Sequence, residues 1–228
     1  MNSFFNKRNV KFLNKNINEK IWLDFCNNID VQMQNSNIIL KNDATSSVCV
    51  VKIDNIEYIV KRSNIKNLLH AFKNSLRETR AMRSVKNSTK LHAIGVNTFT
   101  PYAVIENKFG PFNGQSYLIC SYVKGMQALD FFADEQCSSY WEIAAKSITQ
   151  MIYVLGKHGI CHRDLNLSNI IIINNEAWLV DLDGMRQYTS NILKNWFVKR
   201  EYSRFMENWS DMPHISKKVE QIFIKQLS

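Results

Sequence analysis

The chain is poor in the residues that punctuate or staple a fold. Seven glycines and three prolines in 228 residues exclude a collagenous or Gly/Pro-rich low-complexity design. The five cysteines, Cys26, Cys49, Cys120, Cys137 and Cys161, form no Cys-x-x-Cys pair and suit no zinc site, so reduced and mostly buried thiols are expected. No apolar run approaches the ~20 residues that cross a bilayer. The first residues, Met1-Asn2-Ser3-Phe4-Phe5, lack the apolar core of a signal peptide, and a cytosolic protein is expected. No internal repeat is present. Hydrophobic residues make up 45% of the chain, enough to build a sizeable globular core.

Acidic residues are scarce in one half only. The net charge is +9, and residues 1–118 carry 17 Lys+Arg against 8 Asp+Glu, whereas residues 119–228 carry 12 against 12. The excess is concentrated from Lys61 to Lys90, where nine bases face one acid, Glu78. Apolar Leu68, Phe72, Leu76, Met82 and Val85 recur at helical spacing and predict a helix over 68–94. On it Lys73, Arg77, Arg80, Arg83, Lys86 and Lys90 form a basic stripe. This is either a solvated helix face or a surface for an anionic partner such as a membrane. It has no interleaved aromatics for base stacking, so no nucleic-acid partner is expected.

What the chain does have is a dense polar cluster in residues 160–184. His162-Arg163-Asp164 is followed five residues after the Asp by Asn169. Ile170 to Ile173 reads as a short buried strand, Asn174-Asn175-Glu176 as a turn, and Trp178-Leu179-Val180 as a second strand that delivers Asp181, with Asp183 two residues on. The hairpin brings Asp181 back toward Asn169. A carboxylate and an amide oxygen held together can take a hard cation such as Mg²⁺. Asp164 stands beside them, placed to accept a hydroxyl proton.

Around this cluster, residues 1–35 read as a basic, Asn-rich start and one amphipathic helix around Ile21, Trp22, Phe25 and Ile29. Ile38–Arg62, Tyr102–Glu106 and Ser116–Ser121 read as strands. Ser138–Gly156 reads as a helix with Ile143, Ile148, Met151, Ile152 and Leu155 inward. Further helices are expected over 190–209 and from Pro213.

The ordered set His-Arg-Asp-x-x-x-x-Asn, strand, turn, strand, Asp resembles the catalytic loop and metal-binding Asp of the protein-kinase-like fold. The resemblance implies an α+β, two-lobed protein. A mostly antiparallel β N-lobe with one main helix would occupy residues 36–120. A compact, mainly helical C-lobe would occupy residues 121–228. Residues 1–35 would be an extension with one helix. ATP and Mg²⁺ are the implied cofactors. Asp164 is the implied catalytic residue, and Asn169 and Asp181 the metal ligands; Asp183 is either a second metal ligand or an ion-pair partner. Lys61, closing Tyr-Ile-Val-Lys, resembles the strand lysine that holds the ATP phosphates. Glu78 is the acid available to pair with it, although alignment on the helix end puts Ser84 at that position. Thr45, Ser46 and Ser47 occupy the place of the phosphate loop, which here has no glycine. The backbone of Ser121 and Val123 would hold the adenine edge. His162 would brace the loop. Arg163 would be structural, because no Ala-Pro-Glu-like segment follows Gly184.

Within that fold, Lys61-Arg62 before a helix, Gly95-Val96 ahead of a Pro-containing strand entry, and Asp-Leu-Asn after His-Arg resemble the bacterial lipopolysaccharide-core kinases. The similarity covers roughly residues 45–210. Asn166 stands where Ser/Thr protein kinases carry Lys. This resemblance implies an ATP-dependent phosphotransferase that acts on a Kdo or heptose hydroxyl of the core glycolipid. The protein would be cytoplasmic or peripheral at the inner membrane, with the basic stripe toward the anionic surface. No feature specifies an oligomeric state. Two other readings stay open: a compact protein kinase or other small-molecule kinase, and a catalytically inactive module that binds an anionic surface.

Overall fold

Alternation of apolar and polar residues builds one six-stranded sheet. A computed structural model describes residues 6–15, 17–64, 78–109, 112–209 and 212–227. In chain order, β1 (Asn6–Leu13), α1 (Glu19–Asn27), α2 (Ile29–Gln34), β2 (Ile38–Asn42), β3 (Ser46–Ile53), β4 (Ile56–Ser63), α3 (Arg80–Ala93), β5 (Pro101–Phe109) and β6 (Phe112–Ser121) follow one another. The sheet order is β1-β5-β6-β4-β3-β2, and every pairing is antiparallel. The start of the chain therefore departs from the sequence expectation of one helix. Residues 6–13 are an edge strand on β5, and two helices follow.

Register decides what each face of the sheet carries, because directly opposed residues share a face. Cys49, Val60, Ile119 and Ala103 form one cross-strand row. With Val51, Ile53, Tyr58, Tyr117 and Ile105 they pack against Trp22, Phe25, Cys26, Ile29 and Met33 of α1 and α2. Trp22 stacks on Tyr102 at 5.4 Å and meets Tyr58 edge-on at 5.0 Å. Each such large side chain contributes about 1.5–3 kcal/mol by leaving water. The other face is more polar. Val48, Lys61, Leu118 and Val104 form one row, and Ser46, Ser63, Ser116 and Glu106 the next.

Helix α3 is described from Arg80 onward; Leu68, Phe72, Leu76, Lys73 and Arg77 of the expected helix lie outside the described residues. The Thr79 hydroxyl accepts the Met82 N–H at 3.2 Å and donates to Glu106 Oε1 at 2.7 Å. One side chain thus caps the helix and ties it to β5.

The chain divides into two compact units, the first formed by residues 1–88 and 99–122 and the second by 89–98 and 123–228. The second contains β7 (Met126–Gln127), α4 (Ala128–Ala133), α5 (Trp141–Lys157), β8 (Ile160–Cys161), β9 (Ile170–Ile173), β10 (Glu176–Leu179), β11 (Arg186–Gln187), α6 (Asn191–Glu207) and α7 (Pro213–Leu227). A 3₁₀ segment, Glu135–Tyr140, precedes α5, so the helix starts three residues later than Ser138. Its buried stripe is Ala144, Ala145, Ile148, Met151, Ile152 and Leu155. Ile143 falls outside that stripe and is exposed, contrary to the inward placement expected from the sequence. Phe132, Phe205 and Trp209 complete an aromatic core. All five cysteines are free thiols. Burial pushes Cys120 and Cys161 up to about 12 and Cys26 to about 11. Among the described residues no helix is long and apolar enough to cross a membrane.

Two predictions follow from this packing. A Cβ on Gly125 would lie 2.5 Å from the Ile172 carbonyl oxygen and 2.7 Å from Ile171 Cγ2, so Gly125→Ala should lower stability by about 1–3 kcal/mol in urea titrations. An unchanged midpoint would contradict the close approach of the strands. Glu142 Oε1 takes Lys146 Nζ at 2.9 Å and its Oε2 takes Lys218 Nζ at 3.0 Å, joining α5 to α7. Hydrogen bonds from the two lysines hold its carboxyl at about 2. A lowered carboxyl contributes stability above its unfolded value of about 4.3 and loses it as pH falls toward the folded value. Glu142→Gln should therefore lose less melting temperature between neutral and strongly acidic pH than the unaltered chain.

Candidate active site

The loop after β8 is held by its buried histidine. His162 is 0% exposed, and its Nε2 lies 3.0 Å from the Val180 carbonyl oxygen. A carbonyl only accepts, so Nε2 carries the proton and donates. Its Nδ1 is buried without a hydrogen-bond partner among the described residues. The next residue, Arg163, has φ 71, a left-handed conformation costly for a residue with a Cβ. Its backbone N–H donates to the Glu201 carboxylate of α6. Burial raises the Glu201 carboxyl above the usual range.

Asp164 is exposed at the tip of this loop. Asn169 Nδ2 donates to the Asp164 carbonyl oxygen at 2.8 Å and to its Oδ2 at 3.3 Å. Asn166 Oδ1 accepts the Asn169 N–H at 3.0 Å and the Ser168 hydroxyl at 2.7 Å, while its Nδ2 donates to Asp164 Oδ1 at 3.5 Å. Asn166 caps the 3₁₀ turn Leu167–Asn169. It organises both polar residues beside it without adding a charge.

The hairpin then returns the chain as its register requires. Ile170 opposes Leu179 in the β9–β10 ladder, and Val180 N–H donates to the Asn169 carbonyl oxygen at 3.0 Å. Asp181 is therefore one residue from a direct backbone bond to Asn169. It too is left-handed, with φ 59 and ψ 57. The preceding backbone is fixed on both sides. Leu179 N–H donates to the Asn97 carbonyl oxygen at 2.9 Å, and the Thr98 hydroxyl donates to the Leu179 carbonyl oxygen at 2.6 Å. Asp183 lies in the following 3₁₀ turn, Leu182–Gly184.

This donor set fits Mg²⁺. Asn169 spends its Nδ2 on Asp164, and Oδ1 is the side-chain atom with the chemistry to accept a cation. Among the described residues no cluster of three His, Cys, Asp or Glu groups exists. Mg²⁺ uses one or two carboxylates together with substrate phosphates and does not require a full protein cage.

The sequence candidates in the first unit are placed as follows. Lys61 sits half-buried on the polar face of the sheet, in line with Val48 and Leu118. Glu78 precedes α3, and its carboxylate takes the Lys86 ammonium; among the described residues it makes no ion pair with Lys61. This corrects the expected pairing. Two acids share the Lys61 face, Glu57 further along β4 and Glu106 on β5; Glu106, 7% exposed, was missed in the sequence because a single Glu in an apolar strand gives no signal. In the serine/threonine loop several donors are taken up by neighbouring side chains. The Asp43 carboxylate accepts the Thr45 N–H at 2.7 Å, the Thr45 hydroxyl at 2.6 Å and the Ser46 N–H at 2.8 Å. The Thr45 hydroxyl and these N–H groups hold Asp43 well below the usual carboxylate range. The Ser47 hydroxyl donates to Asn42 Oδ1 at 2.9 Å and is turned toward Arg62. The donors expected to meet phosphate are thus engaged within the loop. Ser121 N–H donates to the Thr100 carbonyl oxygen at 2.9 Å, and Val123 opens the second unit. Of the basic stripe, Arg83 donates to the Glu78 carbonyl oxygen and Lys90 to Gln187 Oε1.

The family model described as "Lipopolysaccharide kinase (Kdo/WaaP) family" matches residues 41–199. Among solved structures the chain is similar to one described as "WaaP in complex with acyl carrier protein". The identity is 13% and the TM-score 0.56, over 86% of this chain and 81% of that one. This likeness shows the fold, a mixed α/β kinase-like one with an antiparallel sheet. No curated protein matches the sequence.

Thr98→Val keeps the shape of a buried side chain but removes its bond to Leu179. The variant should lose about 1–3 kcal/mol in equilibrium unfolding, the cost of an unpaired buried carbonyl. A loss indistinguishable from zero would mean that this bond does not hold the strand leading to Asp181.

Proposed function

The chain belongs to the lipopolysaccharide kinase (Kdo/WaaP) family and is on that ground a kinase of lipopolysaccharide-core sugar hydroxyls; we propose that it moves the terminal phosphoryl group of ATP to Kdo or heptose at the cytoplasmic face of the inner membrane. The observation that supports this most directly is Asp164. Its exposed carboxylate is oriented by Asn169 and Asn166, on a loop that is itself fixed by His162 and Glu201.

In this reading the first unit is the N-lobe that holds the nucleotide phosphates, and the second is the C-lobe that carries the catalytic loop. The acceptor hydroxyl hydrogen-bonds to Asp164, which takes its proton as the sugar oxygen bonds to the terminal phosphorus. The bond from that phosphorus to the bridging oxygen breaks, and ADP leaves with the electron pair. Asn169 Oδ1 and the Asp181 carboxylate would hold Mg²⁺, which would supply charge neutralisation at the phosphates. Lys61 steadies the phosphates. The position two residues after Asp164 is an uncharged Asn, which orients Asp164 and Asn169 and adds no charge to the transferred group. Phosphoryl transfer of this kind is dominated by positioning and electrostatics.

Asp164→Asn should keep Mg²⁺-ATP binding, read as a thermal shift, and lose about 10²–10⁴-fold in turnover. Asp181→Asn should lose the Mg²⁺-dependent part of the shift. With labelled ATP and a cell extract, label should enter a phenol-extractable glycolipid. Label confined to protein would sink the glycolipid reading, and unimpaired turnover by Asp164→Asn would sink the assigned role.

A further inference from the structure

A second polar site adjoins the loop that carries Asp164. Residues alternate there. Asp164 turns toward Asn169, while Arg163 and Leu165 line a cavity of about 120 Å³ closed from α6 by Phe197, Arg200, Glu201 and Arg204. Arg200 and Arg204 are one helical turn apart, so their side chains share a face of α6. Three arginines, each with a solvent-exposed side chain, thus contribute to the wall of one small space.

A cluster of cations on one open cavity wall suits an anionic ligand. Glu201 is the carboxylate in the cavity wall, but it turns to the loop backbone and accepts the Arg163 N–H. Burial also raises its carboxyl, which favours the neutral form at a given pH. Arg200 lies over the Trp196 ring at 5.3 Å. Among the described residues none of the three guanidinium groups makes an ion pair with a carboxylate. Planar guanidinium forks suit tetrahedral oxyanions and bind them through charge-assisted hydrogen bonds.

We propose that this cavity binds the phosphate of a phosphomonoester, presented by an anionic lipid headgroup or by a soluble phosphate. The helix itself favours the lipid source. Ile192 is 82% exposed and Trp196, one turn further, 54% exposed, and exposed Lys199 and Arg200 follow. Exposed apolar and aromatic side chains beside bases suit contact with an anionic lipid surface. The site is separate from the phosphoryl-transfer residues. It stands without the kinase reading, because occupancy is measured without turnover.

The test uses the full chain, inorganic phosphate by calorimetry, and sedimentation with vesicles of phosphatidylcholine alone or containing phosphatidic acid. The double variant Arg200→Gln/Arg204→Gln should bind phosphate about tenfold or more weakly. Lys199→Gln, on the same helix but outside the cavity wall, should bind as the unaltered chain does. Asp164→Asn should also keep phosphate binding, so failure of the kinase reading would be told apart from failure of this one. Co-sedimentation with phosphatidic acid vesicles that the double variant loses assigns the lipid source. Phosphate binding lost in the double variant without any vesicle binding assigns the soluble source. Equal phosphate affinity in the double variant, or no binding of either probe, overturns the proposal.

Discussion

The peptide joining Val180 to Asp181 is the constraint on which the catalytic region depends. Its carbonyl receives the His162 imidazole, and the N–H of the same residue goes to Asn169. The residue before it is held by Asn97 and Thr98. Four hydrogen bonds over two residues leave the chain little choice of direction. That is what maintains Asp181 in a left-handed conformation costing about 1–3 kcal/mol. Arg163 carries the same strain eighteen residues earlier, and the bond to Glu201 holds it. The histidine links the two strained points, tying the Asp164 loop to the turn that carries Asp181.

The six-stranded sheet separates two tasks by register alone. Its apolar face supplies the core against α1 and α2. Its other face places Lys61 among small apolar residues, one row from Ser46, Ser63, Ser116 and Glu106. A shift of one residue in any pairing would exchange the faces. The Thr79–Glu106 bond ties α3 to that polar face.

The catalytic hairpin is legible in the sequence because its residues are close together and each break in periodicity is marked. Ile170–Ile173 and Glu176–Leu179 are short apolar runs around an Asn-Asn turn whose residues both have positive φ. The core of α5 is legible from its apolar spacing, except that Ile143 is exposed because it lies about 140° around the helix from the centre of the buried stripe. Strand β1 is hidden because Lys, Arg and Asn interrupt its alternation; its pairing is with a strand ninety residues away, which no local pattern reveals. The partner of Glu78 and the occupation of the Thr45–Ser47 donors depend on single hydrogen bonds between side chains. Residue type does not determine such bonds. Glu201 and Arg204 lie in a helix whose function comes from what it is packed against, and this too is a long-range fact.

The Asp43 turn has a consequence for any anion drawn to that loop. Its N–H groups do not wait in solvent; they already hold a carboxylate, and that carboxylate is covalently attached. Binding there is an exchange with a tethered competitor, whose effective concentration is set by the short chain from Asp43 to Thr45 and not by dilution. Adding protein or changing volume leaves the competition unaltered, whereas protonating one oxygen releases it. A loop without glycine thereby acquires a threshold, which only a ligand with more charge or more contacts than a single aspartate can cross.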